Sequence, residues 1–249
     1  MANDRGITVI EDAAHAFGGT YKGRMIGTVG HFGAYSFHEV KNVTSVGEGG
    51  LLVSNLDAGA DFAKCRFLGL DFTTTIPNWL YDVTPVKNLK GNWFIGGNHS
   101  ATEIQAVLLL SQLKRMNKII EARKKAFDYL NERFAAEDAI YLPRDDTPET
   151  KSTHHLYLLR INPEKAGGDI QVLKGLLTKR GITQIPHFGP LYHFDVCRKF
   201  GYDKDSIAET CPHTEHIFNH EFTHLPLFPL SQNQLEYLAD QVLDAIHEM

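Results

Sequence analysis

Residues 35–50 read YSFHEVKNVTSVGEGG, and this stretch decides how the rest of the chain is interpreted. Its first residues alternate apolar and polar, with Tyr35 and Phe37 on one side, which is typical of a short strand. Lys41 follows just beyond the strand end, before the glycine-rich turn at 47–50. Burial in such surroundings lowers the pKa of an amine, as a nucleophilic lysine requires. Two interpretations remain open here: an active-site lysine, or an ordinary lysine in a surface loop.

A second candidate residue, Asp12, lies upstream at the end of another predicted strand. Residues 7–10 form a short apolar run, as expected of a buried parallel strand, and Glu11 and Asp12 come where it ends. In open α/β sheets, the carboxyl ends of the strands face the ligand crevice. A lysine and an aspartate at two such ends fit pyridoxal phosphate (PLP), since the lysine holds the aldehyde as an imine and the aspartate keeps the pyridine nitrogen protonated. The pair alone does not identify the cofactor, because any two strand ends can carry such residues.

The longer segment 11–50, EDAAHAFGGTYKGRMIGTVGHFGAYSFHEVKNVTSVGEGG, resembles the cofactor segment of the DegT/DnrJ/StrS family of nucleotide-sugar aminotransferases. Within that family it is most similar to enzymes like dTDP-4-amino-4,6-dideoxygalactose transaminase. The resemblance continues in GGNHSATEIQAVLLLSQLKRM (96–116) and in HLPLFPLSQNQ (224–234). It implies an α/β protein with the PLP-dependent aminotransferase fold of type I, comprising the C-terminal half of the large domain and a small C-terminal α/β domain.

The resemblance assigns roles to five residues. Lys41 matches the Schiff-base lysine, and Asp12 matches the partner of the pyridine nitrogen. His15 stands where the family has Gln or His near the 3-hydroxyl of the ring. Ser36 matches the serine that binds the cofactor phosphate, and Asn98 matches an asparagine that reaches the phosphate in the neighbouring subunit. The implied cofactor is therefore PLP and the implied assembly a homodimer. Lys41 argues against the branch of the family that has His at this position and dehydrates its substrate.

The activity implied by the resemblance is transfer of an amino group, with glutamate as the usual donor, to a nucleotide-activated keto-deoxysugar. Such a reaction belongs to the biosynthesis of amino sugars or of cell-surface polysaccharides such as lipopolysaccharide. Two other functions stay open: a nucleotide-binding α/β protein that uses the six glycines of residues 18–33, and a truncated, non-catalytic homologue. The glycine-rich stretch contains no GK[ST] and no GxGxxG before a helix, so tight turns explain it better than a phosphate loop.

The recognisable family segment begins only at the strand that carries Asp12, a few residues after Met1. We therefore expect the first half of the large domain to be missing, which leaves strands at 7–10, 34–37 and 51–54 with unpaired edges. In relatives, that half supplies the helix N-terminus that holds the cofactor phosphate. The expectation is weak PLP binding and poor turnover, unless another polypeptide completes the sheet.

Composition excludes several other classes of protein. A chain of 249 residues with 43% hydrophobic content can bury a substantial core, as one large or two modest domains. The net charge of -5 gives no electrostatic basis for binding nucleic acid or an anionic membrane. The sequence contains no apolar run of membrane-spanning length, no signal-peptide pattern and no CxxC among its three cysteines. These features predict a cytoplasmic protein with neither a disulfide framework nor a zinc knuckle.

The polar stretch 143–152, PRDDTPETKS, divides the chain into predicted domains at 1–142 and 143–249. In the first domain, after the strand at 51–54, we predict a helix at 57–67, an irregular aromatic loop over 69–99 and helices between 102 and 136. In the second, we predict strands at 156–161 and 182–186, and helical segments at 169–180, 206–221 and 233–247.

Two helical patterns carry further predictions. Residues 102–120 are apolar nearly all round, so we predict that this helix is buried against a partner subunit or against the large domain. His213, His216 and His220 share one helical face, but a zinc site needs three or four convergent ligands with supporting contacts. The chain contains no HExxH, and we expect these histidines to have a structural or surface role, with no metal site in the protein.

Overall fold

The computed structural model describes residues 1–76, 80–88, 90–184, 188–227 and 229–249. The chain packs as two units: Met1–Asn117 with Pro148–Lys151, and Lys118–Thr147 with Ser152–Met249. Each unit contains both helices and strands, in agreement with the predicted α/β class. The division predicted between residues 142 and 143 concerns domains rather than packing units and stays a prediction.

The strands of the first unit are short. They are β1 (Ile10–Asp12), β2 (Thr20–Tyr21), β3 (Arg24–Met25), β4 (Phe32–Ser36), β5 (Gly50–Ser54), β6 (Leu70–Ile76), β7 (Leu80–Val83), β8 (Val86–Lys87) and β9 (Trp93–Phe94). A three-stranded sheet has the order β1-β4-β5, in which β1 is parallel to β4 and β4 is antiparallel to β5. The first predicted strand therefore starts and ends later than expected, and Glu11 and Asp12 belong to it instead of following it.

The predicted loop over 69–99 is wrong for the described residues, because this stretch forms two antiparallel hairpins, β6 with β7 and β8 with β9. Its β-branched and aromatic residues favour strands, whereas its prolines and glycines favour a loop. The prediction of a loop gave too much weight to the second signal. Pro85 lies between the hairpins, where no ladder hydrogen bond needs its missing N–H.

Three helices begin in the first unit: α1 (Gly59–Arg66), α2 (Glu103–Leu113) and α3 (Met116–Phe134). Thr102 caps α2 in a reciprocal pair with Gln105, whose side chain bonds back to the Thr102 backbone. The predicted burial of α2 is not met within the chain, since none of its residues is buried. An apolar helix predicts only that something covers it, and the described residues of this chain leave most of α2 exposed.

The second unit contains an antiparallel sheet and most of the buried apolar residues. Its strands are β10 (Ile140–Tyr141), β12 (Tyr157–Ile161) and β13 (Phe222–Leu225), in the order β10-β12-β13. The intervening β11 (Thr150–Lys151) belongs to the first unit, where it pairs with β2. Its helices are α4 (Pro163–Ala166), α5 (Ile170–Lys179), α6 (Asp195–Lys199), α7 (Lys204–Thr210), α8 (Pro212–His216) and α9 (Gln232–Glu248). Apolar faces of α3, α5 and α9 pack with the sheet into one cluster.

Two predictions in this unit need revision. Residues 182–184 of the predicted strand at 182–186 have no regular structure, and the remainder lies outside the described residues. Gly181 explains the break, because its φ of 72° ends α5 in the left-handed region. The predicted helical segment at 206–221 is divided into α7, α8 and a π-helical turn at Ile217–Glu221, since Cys211 and Pro212 interrupt it.

Candidate active site

Two of the residues predicted to bind the cofactor, Asp12 and Ser36, lie at the carboxyl ends of β1 and β4. Backbone pairing places Asp12 opposite Ala34, and the N–H of Ala13 donates to the Ala34 carbonyl oxygen over 2.9 Å. Ser36, two residues further along β4, is the last residue of that strand. The parallel register therefore brings the Asp12 carboxylate and the Ser36 hydroxyl to one edge of the sheet, as the sequence predicts for a ligand crevice.

Lys41 lies in the loop between β4 and β5, and that loop is closed by its own backbone. The N–H of Phe37 donates to the Gly49 carbonyl oxygen over 2.8 Å, and the N–H of Glu39 donates to that of Gly47 over 2.9 Å. Val43 anchors the loop, with 1% of its surface exposed. The loop is thus a folded element that holds the lysine next to the strand end.

The electrostatics of Lys41 reflect its position. Burial lowers the pKa of its amine below the ordinary value, and the nearby carboxylate of Asp12 opposes that shift by stabilising the ammonium form. Because burial prevails, the neutral amine is more populated than it is for a lysine in water. The Asp12 carboxylate is therefore close enough to act on the charge of the Lys41 amine, although 28 residues of sequence lie between them.

The other predicted site residues differ in how firmly they are placed. The N–H of Ala14 donates to Asp12 Oδ1 over 3.1 Å, and the N–H of His38 donates to the Ser36 hydroxyl oxygen over 3.3 Å. His15 is half-buried in the turn after β1. Asn98 is exposed and forms an isolated antiparallel bridge with Phe67. The structure thus brings Asp12, Ser36 and Lys41 to one edge, while Asn98 belongs to a separate backbone segment.

Glu11 is a residue whose importance the sequence does not reveal. Its carboxylate accepts backbone hydrogen bonds from Gly27 and Val29, each over 2.7 Å, and from Gly30. Burial by itself raises the pKa of Glu11, but these three donors, together with the charge of Arg24, bring it below the ordinary value. The carboxylate therefore holds the glycine-rich loop against β1. The only trace of this role in the sequence is an acidic residue at a strand end, upstream of a glycine-rich stretch, which does not by itself identify a partner.

The glycine-rich stretch at 18–33 has the structural role that we favoured. Gly27 has a φ of 93°, and a side chain there would overlap the ring and hydroxyl of Tyr35. A Cβ on Gly33 would overlap the Gly27 carbonyl oxygen. The Tyr35 hydroxyl donates to the Ile26 carbonyl oxygen over 2.6 Å. These glycines allow close backbone packing behind the candidate site.

The donor set at this edge fits PLP. It offers a carboxylate for a protonated ring nitrogen (Asp12), an amine with a lowered pKa for an aldehyde (Lys41) and a hydroxyl for a phosphate (Ser36). No other candidate ligand named from the sequence requires all three of these groups together. The site therefore agrees with the cofactor that the sequence implies.

Comparison with known proteins places this site in a family context. Residues 1–243 match the DegT/DnrJ/EryC1/StrS aminotransferase family. The uncharacterized protein MJ1066 of Methanocaldococcus jannaschii is 30% identical to this chain over 99% of the chain and 60% of the relative. The spore coat polysaccharide biosynthesis protein SpsC of Bacillus subtilis is 29% identical over 99% of the chain and 61% of the relative. The chain therefore spans about 60% of the length of the curated relatives that it matches.

A solved structure is similar as well. The PLP-form of the putative sugar aminotransferase Spr1654 from Streptococcus pneumoniae superposes with a TM-score of 0.81 and 27% identity, over 97% of this chain and 58% of that one. This likeness confirms the fold of type I predicted from the sequence, and PLP is the cofactor of the family. Among its described residues, the protein contains no helix with the length and apolar character needed to span a membrane.

Proposed function

This chain belongs to the DegT/DnrJ/EryC1/StrS aminotransferase family, and we propose that it transfers an amino group to a nucleotide-activated keto-deoxysugar with PLP as cofactor and glutamate as donor. The observation that carries the proposal is the proximity of Lys41 and Asp12 at neighbouring strand ends, where burial lowers the pKa of the lysine and the aspartate acts on its charge. Two groups of opposite chemistry at one crevice edge are what this cofactor needs.

Each residue of the site has a proposed role toward the cofactor. Lys41 would hold the aldehyde group through Nζ and, because partial burial lowers the pKa of its amine, would accept and return a proton at that atom. Asp12 keeps a positive charge on the ring nitrogen, and Ser36 donates its hydroxyl hydrogen to the phosphate. His15 contacts the ring near its 3-hydroxyl, and Asn98 reaches the phosphate in a partner subunit. When bound, PLP supplies an electron sink through its protonated ring.

The substrate class is proposed from the family and from the relatives. SpsC is, by name, a protein of spore coat polysaccharide biosynthesis. A role in making amino sugars for a cell-surface polysaccharide, lipopolysaccharide included, fits that relative. The resemblance to enzymes such as dTDP-4-amino-4,6-dideoxygalactose transaminase supports the same proposal, in which the substrate of this protein is a nucleotide-sugar.

The proposed assembly is a homodimer, and its support is the exposed apolar surface of α2. Ile104, Val107 and Leu110 are 74%, 63% and 57% exposed, although apolar side chains on a helix favour burial. Val107→Glu should shift the protein toward monomers in sedimentation velocity. Val172→Glu, at an exposed valine on α5 of the second unit, is the matched control and should leave the assembly unchanged. A stable wild-type monomer at micromolar concentration would contradict the homodimer.

The proposed location is the cytoplasm. Cys65, Cys197 and Cys211 are all free thiols, as is usual where cellular reductants keep cysteines reduced. Fractionation of the native host, with detection by antibody, tests this location; recovery with secreted proteins would contradict it.

The catalytic proposal is tested by titrating the purified chain with PLP and recording the visible absorbance of the bound cofactor. Because the sequence predicts weak binding, the PLP concentration in this titration should extend from micromolar to millimolar. Lys41→Ala should abolish the band, whereas Lys90→Ala, an exposed lysine of the same unit, should retain it. Asp12→Asn should retain the band but impair amino transfer from glutamate, because the electron sink is weakened. A band that survives in Lys41→Ala, or full transfer by Asp12→Asn, would contradict the assigned roles.

A further inference from the structure

Three side chains with metal-binding groups meet in the second unit, whereas the candidate aminotransferase residues belong to the first. One carboxylate oxygen each of Asp145 and Asp146 and one ring nitrogen of His154 all lie within 4.8 Å of one another. The acids follow β10 and the histidine precedes β12, and these two strands pair antiparallel. Sheet pairing therefore brings together ligands that a connecting segment separates in sequence.

His154 is the least expected member of this group. Its side chain is only 1% exposed, and Nε2 makes no hydrogen bond with any residue that the structure describes. The nearest carboxylate oxygen, Asp146 Oδ1, is 3.6 Å away, which is beyond hydrogen-bond distance. A buried polar atom without a partner carries an unrecovered desolvation cost. The nitrogen faces the acids with its lone pair or proton unused, as expected of a ligand atom.

The carboxylates are held in place by the backbone. The N–H of Ser152 donates to Asp146 Oδ1 over 2.7 Å, and the N–H of Asp146 donates to Asp145 Oδ1 over 2.6 Å. The ring of His154 packs on that of Phe127, with 4.6 Å between centroids. Supporting contacts of this kind orient the ligands of metal sites.

The charges around the group favour a further cation. Lys124 Nζ lies 2.7 Å from Asp128 Oδ1 and 3.3 Å from Asp145 Oδ1, so one ammonium serves two carboxylates while Asp146 adds a third. A divalent ion bound here would replace Lys124 as the ion-pair partner of Asp145, while Lys124 would retain its ion pair with Asp128. The lysine is therefore a competitor for the site as well as a neighbour.

We propose that Asp145, Asp146 and His154 bind a divalent transition-metal ion, for which zinc is the best match. One imidazole nitrogen with two carboxylate oxygens suits zinc, whereas magnesium and calcium prefer oxygen ligands alone. Donor atoms within 4.8 Å of one another share a centre about 2.8 Å from each, so bonds of ~2.0–2.2 Å need shifts of under about 1 Å. Three protein ligands leave a fourth position for water. Such an ion would hold the residues after β10 against His154, all within the second unit.

The test is calorimetric titration of the chelator-stripped full chain with zinc chloride, in the presence of a competing chelator of known affinity. We expect one zinc ion per chain to bind at the site of highest affinity. Asp146→Asn and His154→Gln should each lower the zinc affinity of that site by at least about tenfold. Asn at 146 can still accept from the Ser152 N–H, so this variant keeps the local fold. Asp138→Asn and His220→Gln are the controls; His220 also lies 3.6 Å from an aspartate oxygen, that of Asp169, but its side chain is half-exposed.

A variant that should gain affinity separates the proposal from simple misfolding. Lys124→Gln removes the competing ammonium and should tighten zinc binding by about twofold to fivefold. Titration with magnesium chloride should show no high-affinity site. The proposal would be overturned if Asp146→Asn left zinc affinity unchanged, if the wild type had no high-affinity zinc site, or if it bound magnesium with equal affinity. These measurements use no PLP, so their outcome is independent of the aminotransferase assay.

Discussion

The two units of this protein are stabilised in different ways. In the second unit, apolar faces of α3, α5 and α9 join β12 in one cluster whose central residues, Leu130, Leu159 and Leu173 among them, are fully buried. Among the described residues, the first unit buries only a few apolar side chains: Ala13, Tyr35, Phe37, Val43 and Val86. It depends instead on polar contacts such as those of Glu11 with the glycine-rich loop. The unit that contains the candidate chemistry is thus the one with less apolar burial of its own.

The exposed surfaces follow the same division. Ile10 of β1 and Leu51 and Leu52 of β5 are exposed apolar residues beside the candidate site, as are several residues of α2. Apolar burial is the main favourable term in folding, so a unit that leaves such residues uncovered gains less stability from itself. The comparison indicates that the second unit is largely self-sufficient, whereas the first gains stability from whatever covers it.

The largest effect should come from the core of the second unit. Leu130→Ala removes a fully buried side chain of α3 and should lower the free energy of unfolding by about 2–5 kcal/mol, measured by urea denaturation. Leu56→Ala, the same change at a 49% exposed leucine of the first unit outside α2, should cost less than about 1 kcal/mol. Equal costs would show that the first unit packs this leucine as firmly as the second packs Leu130, and would contradict the contrast between the units.

An intermediate effect should come from Glu11. Glu11→Gln replaces a charged acceptor of three backbone N–H groups by a neutral one and should cost about 2 kcal/mol at neutral pH. Because the pKa of Glu11 is below its ordinary value of 4.5, its contribution is complete above that pH and is lost as the pH falls through the folded-state value. The difference between wild type and variant should therefore shrink in acid.

Urea unfolding at a series of pH values, followed by hydrogen exchange at Gly27, Val29 and Gly30, measures this effect within the first unit. Glu39→Gln, an exposed glutamate of the same unit, is the control and should have little effect at any pH. A difference that grows toward low pH would mean that the carboxylate does not stabilise the loop as an anion.

The smallest effect concerns two matched helix caps, which allow the stability of α2 in the first unit to be compared directly with that of α9 in the second. Thr102 and Ser231 form the same reciprocal capping arrangement at α2 and α9. Ser231→Ala should lower the global free energy of unfolding by about 1 kcal/mol, because α9 is part of the core. Thr102→Ala should mainly increase local hydrogen exchange in α2, which has few buried contacts of its own. Global loss in both variants would show that α2 is as firmly packed as α9.

Local patterns in the sequence were enough for several helices and for some strands, although not for the segment at 206–221. The prediction at 233–247 corresponds to Gln232–Glu248, that at 169–180 to Ile170–Lys179, and that at 51–54 to Gly50–Ser54. Capping residues and apolar periodicity act over a few residues, so they can be read directly. The sequence-based prediction missed the hairpins of 70–94. Hydrogen bonding between paired strands stabilises these hairpins, although the local sequence is irregular.

The sequence by itself determined the candidate chemistry: Lys41, Asp12 and Ser36 each follow from a motif contained in a short stretch. Only the tertiary structure decided that Asp12 acts on the charge of Lys41, that Glu11 holds the loop at 27–30, and that His154 faces Asp145 and Asp146. The physical reason is distance along the chain. A motif encodes residue types within a few positions, whereas burial, strand register and the meeting of separated side chains are set by packing of the whole chain.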